Sequence, residues 1–504
     1  MKNLKNTLII FIFFGGIQTA CEGYLEKHPL DAISSETFWK TEADAEMALA
    51  GCYNALYQTW TFSYDRCYLD CLTDDCFAQW GGASYNMDLM STGNLTSITS
   101  SIPYNAYYRG ISIFNNFLAN IDKVEFTTPG NKASYIAEVR FLRAFFYAEL
   151  VNFYGDVIYF KELPSKPDDA KVAKSPKAEV LAFIEEDLAF AIENLPNTSY
   201  QGHAVKGSAL ALKARIALYE SNWEEVVRLT EEIITDGKFS LAADYEGLFI
   251  ERGQTDNPEI MFSTVYSSPD LSHNRYSGRA ANTQFGWGSH IDPYWGLVDS
   301  YECIDGLPID ESPRYVADEP WLNRDPRLKQ SIRLPNVTWP GGEPAGAQSL
   351  TGINMQKYVD LSQAPWGGGA NTEFEQDYVH FRYADILMMY AEAKNEVSGP
   401  ESSIYDAIDL IRTRPSVEMP KVDRDRYNSK ESLREYIRGE RRIEFALEGL
   451  RYFDLRRWEI AHEVLPKIKT PGGVSLVFES HHYLLPFPQA ELDINPDLVQ
   501  NPGY

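Results

Sequence analysis

Cysteine and histidine are scarce in this chain, 6 and 8 residues among 504. So few cysteines exclude a disulfide-stapled scaffold, and the histidines are scattered, with only His481 and His482 adjacent. Positive charge is in deficit as well: 46 Lys and Arg face 72 Asp and Glu, a formal net charge of -26. Such a surface repels phosphate backbones and anionic lipid, which excludes nucleic acid as a partner. Long apolar runs are missing beyond the N-terminus, so no later segment is suited to crossing a bilayer as a helix. Catalytic signatures are missing too: there is no HExxH, GxSxG, GxxxxGK or strand-linked GxGxxG. Nothing in these patterns calls for a cofactor, a metal or an enzyme.

What remains is a globular composition, 44% hydrophobic and 13% aromatic, with 31 Tyr, 26 Phe and 10 Trp. That excludes disorder, and the length gives enough chain for a large core. Some of these aromatics are available to line a binding surface.

Lys2 and Lys5 precede an apolar stretch from Thr7 to Ile17, then Gln18-Thr19-Ala20-Cys21. The stretch is too short for a stable anchor, and 1–20 reads as a signal peptide. Small residues leading into a cysteine resemble a bacterial lipobox, with Gln18 where an aliphatic residue is usual. Cys21 is therefore the expected lipidation site, and acyl chains at about 0.8 kcal/mol per buried methylene would hold the chain on a membrane. The alternative is ordinary cleavage with Cys21 an unmodified thiol. Of the remaining Cys52, Cys67, Cys71, Cys76 and Cys303, three are clustered, but no CxxC pair or nearby His supports zinc. A disulfide or buried thiols are expected there.

Helical periodicity dominates the rest. It predicts helices over Ser134–Tyr154, Pro176–Asn194, 430–447 and 450–463. Two helical hairpins are predicted, Gly207–Glu220 with Trp223–Asp236 and Arg382–Glu396 with Ser402–Arg412. Small residues such as Ala214, Ala217, Ala391 and Ala393 sit at their close-packing positions, which suits tetratricopeptide-like units. Between helices, residues 60–105, 265–300 and 335–375 lack a period and are rich in Gly, Ser, Asn, Pro and aromatics. Loops of that length are usually functional. The fold expected is mainly helical, all-α, carrying long aromatic-rich loops.

Asp74-Asp75 is a carboxylate pair, expected to be solvated or to cap a turn. The run Arg438-Gly439-Glu440-Arg441-Arg442-Ile443-Glu444-Phe445-Ala446-Leu447-Glu448-Gly449 continues into Leu450-Arg451-Tyr452-Phe453-Asp454-Leu455-Arg456-Arg457-Trp458. Charges interleaved with aromatics at every turn read as a partly buried ion-pair network that sets helix register.

The same run resembles the signature of the SusD/RagB family, surface lipoproteins of glycan-uptake systems. Other blocks agree in order: Tyr24-Leu25-Glu26, Ser34 to Trp39, Thr41 to Ala45 with Gly51-Cys52-Tyr53, and 138–156. Later come Asp305-Gly306, Asn323-Arg324-Asp325-Pro326-Arg327, Arg382 to Leu387, Leu485-Pro486-Phe487-Pro488 and Gln500-Asn501-Pro502-Gly503-Tyr504. Ile158, Gln18 and Pro415 depart from the pattern. The resemblance implies one SusD-like domain over 21–504, with an N-terminal region at about 21–240 and a C-terminal region at about 260–504. It implies an outer-membrane lipoprotein facing outward, a SusC-like TonB-dependent transporter as partner, and a glycan ligand that is bound and handed on, not cleaved. The alternatives are the same role with peptide cargo, or a surface glycoside hydrolase.

Sugar capture asks for flat aromatics against the C–H face of a pyranose and a few rigid polar groups at its hydroxyl rim. The stretches Asp74 to Asn86 and Arg275 to Trp295 offer that mixture. Trp80, Tyr276 and Trp287 are the expected platforms, and Asn86 and Arg275 the expected polar contacts. Tyr294-Trp295 are expected to be core. Asp423 and Asp425 lack the spacing and glycine of a calcium loop, so no calcium is expected.

Overall fold

The computed structural model describes residues 38–79, 85–267, 270–273, 289–337, 349–363 and 374–504. Its main helices are α1 (Glu42–Tyr57), α2 (Tyr104–Asn120), α3 (Asn131–Tyr154), α4 (Lys177–Asn194), α5 (Lys206–Tyr219), α6 (Trp223–Asp236), α7 (Tyr383–Ser398), α8 (Ser402–Arg412), α9 (Lys430–Glu444) and α10 (Arg451–Arg457). Short-range chemistry sets several of their ends. Thr41 Oγ1 accepts from Asp44 N while Asp44 Oδ2 accepts from Thr41 N at 2.8 Å, a reciprocal cap on α1. Pro176 precedes α4, and α3 stops at Gly155, whose φ of 74° carries no penalty without a Cβ.

Successive helices stack, α1 on α2, α2 on α3 and so on to α7, which packs on α6, α8 and α9. Gly110 in α2 makes one approach possible: a Cβ there would lie 2.3 Å from the Phe146 ring on α3. Both expected hairpins are present as α5–α6 and α7–α8, with Ala214, Ala217, Ala391 and Ala393 buried between neighbours. The fold is mainly helical, as expected, and its strands are few and short among the described residues. Each pairs antiparallel: β1 (Cys76–Ala78) with β3 (Ile291–Pro293), β2 (Ile260–Thr264) with β6 (Tyr378–Arg382), and β4 (Ile332–Arg333) with β5 (Asn354–Met355).

Two expectations about local structure are corrected. Residues 60–72 are not a surface loop; two 3₁₀ turns, Trp60–Phe62 and Tyr64–Leu72, are buried throughout. Their aromatics and cysteines face core on every side, so no single apolar stripe appears in the sequence. Residues 450–463 form α10 and a separate turn, Ala461–Val464, because Glu459 takes a left-handed φ of 56° between them. Cys52, Cys67, Cys71, Cys76 and Cys303 are buried free thiols, and burial pushes the Cys71 and Cys76 thiols up.

The charged C-terminal run is more deeply buried than expected. Arg382 donates to Glu444 Oε1 at 2.7 Å, Glu259 Oε1 at 2.9 Å and Glu448 Oε1 at 2.8 Å. Arg327 reaches Glu440, Glu444 and Asp325, while Arg412 joins Glu440 to Glu302. A second group links Arg441 and Arg215 to Asp385, and Arg457 to Glu392. Planar guanidinium forks answering several carboxylates at once satisfy the buried charges that a lysine would leave short.

Candidate functional site

The ion pairs of α9 and α10 reach the root of a loop. Arg442 Nε donates to Asp75 Oδ1 at 2.7 Å, and Arg451 grips Asp74 through two hydrogen bonds of 2.9 and 3.0 Å. Asp74 and Asp75 are therefore buried ion-pair partners, not solvated or capping residues as their adjacency implies. The turn they anchor leads directly into β1, and Gln79 follows that strand.

Gln79 stands where segment 80–84 begins, and its N–H donates to His290 O at 3.1 Å, just past the end of segment 274–288. Leu350 N donates to Gln79 Oε1 at 3.2 Å and to Asp292 Oδ2 at 2.9 Å, which brings the end of segment 338–348 to the same place. Asp292 is fully buried, and burial pushes its carboxyl up to about 6 against the pull of Ser289 and Leu350. Across the 3₁₀ turn, His273 and Phe374 exchange backbone hydrogen bonds of 3.0 Å, joining the flanks of segments 274–288 and 364–373. Tyr64 secures that second root by donating to Asp377 O at 2.7 Å, with the His273 ring 4.6 Å away. Tyr68, one turn on, hydrogen-bonds His290 Nδ1 at 2.9 Å. One buried element, Tyr64–Leu72, thus ties the roots of segments far apart in sequence.

Of the expected ligand residues, Asn86 is described. It is half-buried, in the left-handed region with φ 56° and ψ 22°, and its Nδ2 donates to Thr99 O at 3.3 Å. Asn tolerates that conformation well; the preceding Tyr85, at φ 55°, is held there by its surroundings. Its ring stacks on Trp60 at 4.7 Å and 13°, and its hydroxyl donates to Asp65 Oδ2. Trp80, Arg275, Tyr276, Trp287 and Cys21 lie outside the described residues. Trp60, Tyr68, His290 and Asp292 carry no local signal in the sequence, and Tyr85 is marked only by its place beside Asn86. Tyr294 is buried and Trp295 half-buried, with Trp295 Nε1 donating to Thr351 O at 3.0 Å, in line with a packing role. Among the described residues no group of three His, Cys, Asp or Glu could hold a metal ion.

The arrangement is a set of stacked rings and buried polar anchors at the roots of segments 80–84, 274–288 and 338–348. Comparison with known proteins then decides the family. The model described as "SusD family" matches residues 256–504, and one described as "Starch-binding associating with outer membrane" matches 23–218. The chain belongs to the SusD family. Over its whole length it is 27% identical to SusD-like protein P38 of Formosa agariphila, covering all of both chains. A SusD-like carbohydrate binding protein from Bacteroides fragilis is 29% identical with a TM-score of 0.81, over 92% of this chain and 100% of that one. A laminarin binding SusD-like protein, 22% identical with a TM-score of 0.67, shares the fold over 92% of this chain and 100% of its own. Outer-membrane association fits the second description, and among the described residues no helix is long and apolar enough to cross a membrane.

Proposed function

We propose that this SusD-family chain is a lipoprotein acylated on Cys21, displayed outside the outer membrane. There it binds glycan and passes it to a SusC-like TonB-dependent transporter without cleaving it. The observation that carries the reading is the convergence at Gln79, His290, Asp292 and Leu350. These residues set the roots of segments 80–84, 274–288 and 338–348 side by side. Trp80, Tyr276 and Trp287 on two of those segments are the platforms, and Arg275 and Asn86 the polar contacts. Rigid roots suit a sugar site, since water competes for every hydroxyl and affinity depends on contacts held in place beforehand. The carbohydrate-binding relative from Bacteroides fragilis supports the same cargo class.

The test is retardation of the purified chain from residue 22 in gels cast with different polysaccharides, with peptides as competitors. Retardation by one glycan class, lost in Trp80→Ala or Trp287→Ala with melting unchanged, is the expected result. Peptide binding without glycan binding would replace the cargo, and shortening of the glycan would make the chain a hydrolase. Co-purification of the transporter with the tagged chain from detergent-solubilised membranes tests the partner.

A further inference from the structure

A cavity of about 360 Å³ opens beside the β2–β6 pair, away from the Gln79 root. That volume falls within the roughly 300–1,000 Å³ of small-molecule sites. Tyr200, Ile260, Val265 and Tyr266 supply its apolar lining, and Glu251, Asp256, Glu375 and Asp377 its carboxylates. Four carboxylates and no Lys or Arg line it among the described residues. Arg252, the nearest cation in sequence, is turned to Asp360 at 3.4 Å.

The carboxylates differ in duty. Asp377 is built into the wall: Tyr266 N and Ser263 Oγ donate to its two oxygens at 3.0 and 2.9 Å, and burial pushes it up to about 6. Asp256 takes one hydrogen bond, from Gln201 Nε2 at 3.2 Å, and stands at a left-handed φ of 52°. Glu251 and Glu375 have side chains with no ion pair or hydrogen-bond partner among the described residues. These acceptors surround an open volume and do not close on one point, and no described trio of acidic residues is close enough for a metal ion. A ligand that fits must bring hydroxyl or amine donors to spaced acceptors and an apolar face to the tyrosine wall. It must also be free of negative charge, because an added carboxylate or sulfate would meet four like charges and no counter-cation. Sugars without acidic groups meet all three demands.

We propose that this cavity is a second glycan subsite, selecting neutral over acidic sugars. It rests on the glycan-binding reading and adds to it a location and a charge class. Tyr266, which lines the cavity, packs its ring on His273 at 4.4 Å, and His273 pairs with Phe374, so the cavity adjoins the flank of segment 274–288.

The experiment compares the chain from residue 22 with the double variant Asp256→Asn/Glu375→Gln and with Thr255→Trp, an exposed lining residue whose enlargement fills the cavity. Gel retardation is measured with laminarin and xylan as neutral probes and with alginate and polygalacturonate as acidic ones, beside melting curves. The expected result is retardation by a neutral glycan, weakened about tenfold in both variants with melting unchanged, and none by the acidic polymers. Should the double variant melt lower, Thr255→Trp decides alone. Wild-type affinity in both variants, with loss in Trp80→Ala, overturns the subsite and leaves glycan binding standing. Retardation by acidic polymers alone overturns the charge selection. No retardation by any glycan overturns both readings.

Discussion

Arg382 is 2% exposed and serves three carboxylates, so its energetics are those of a charge that cannot escape to water. Removing it leaves Glu259, Glu444 and Glu448 buried with too few cations. Arg382→Met should cost roughly 3–5 kcal/mol in urea unfolding. Arg382→Lys should recover little of this, since an ammonium cannot reproduce the fork. Glu302 gives a pH signature at the same scale. Burial pushes its carboxyl from 4.5 up to about 7, against the pull of Arg412. Between those values the folded chain holds a proton the unfolded chain releases, so this group's contribution to stability falls as pH rises from about 4.5 to 7. Glu302→Gln carries no such proton. Its urea midpoint relative to wild type should rise steadily across that window, and a constant difference would refute the assignment.

At the scale of elements, the Asp74–Asp75 turn matters because it transmits the order of α9 and α10 to β1 and Gln79. Arg442→Ala strands Asp75, which is fully buried, and should cost about 3–5 kcal/mol. Hydrogen exchange should rise first over 74–79 and 289–293, the strands that share the turn; exchange confined to α9 would show that the turn is not the link. Gly449, just before α10, has φ 70°, and a Cβ there would lie 2.7 Å from Arg66 O. Its N–H donates to Asp70 Oδ2 at 2.9 Å. Gly449→Ala should therefore destabilise by about 2–4 kcal/mol on thermal or urea unfolding, through both backbone strain and the contact. These elements also show what can be read locally. The expected hairpins Gly207–Asp236 and Arg382–Arg412 are present because periodicity, small residues and helix ends depend on neighbours in sequence. Trp60–Leu72 escaped because burial on all sides erases the period.

For the whole molecule, the decisive prediction concerns Cys21. The proposed acylation makes the wild-type chain incorporate a labelled fatty acid and pellet with membranes; Cys21→Ala should lose the label and appear in the soluble fraction. Labelling that survives the substitution would remove the anchor from the reading. The net charge of -26 keeps such a chain from adhering to anionic lipid by itself, so the anchor would have to supply nearly all its membrane affinity.

Helix positions and the SusD-family blocks were legible in the residues, because each depends on local spacing. The charged run 438–458 was legible as an ion-pair network, but its partners were not. Asp74 and Asp75 lie 367 and more residues from the arginines that hold them, and no local rule specifies such a pairing. The same holds for the proposed site: residue type puts forward Trp80, Asn86 and the aromatics of 275–287 as candidates, and says nothing of what their roots share. Only the packing of β1 on β3 around the Tyr64–Leu72 turn put Gln79, His290, Asp292 and Leu350 together. Backbone propensity acts over a few residues, whereas burying charge and apolar surface couples segments hundreds of residues apart, and that coupling is what brings Gln79, His290, Asp292 and Leu350 together.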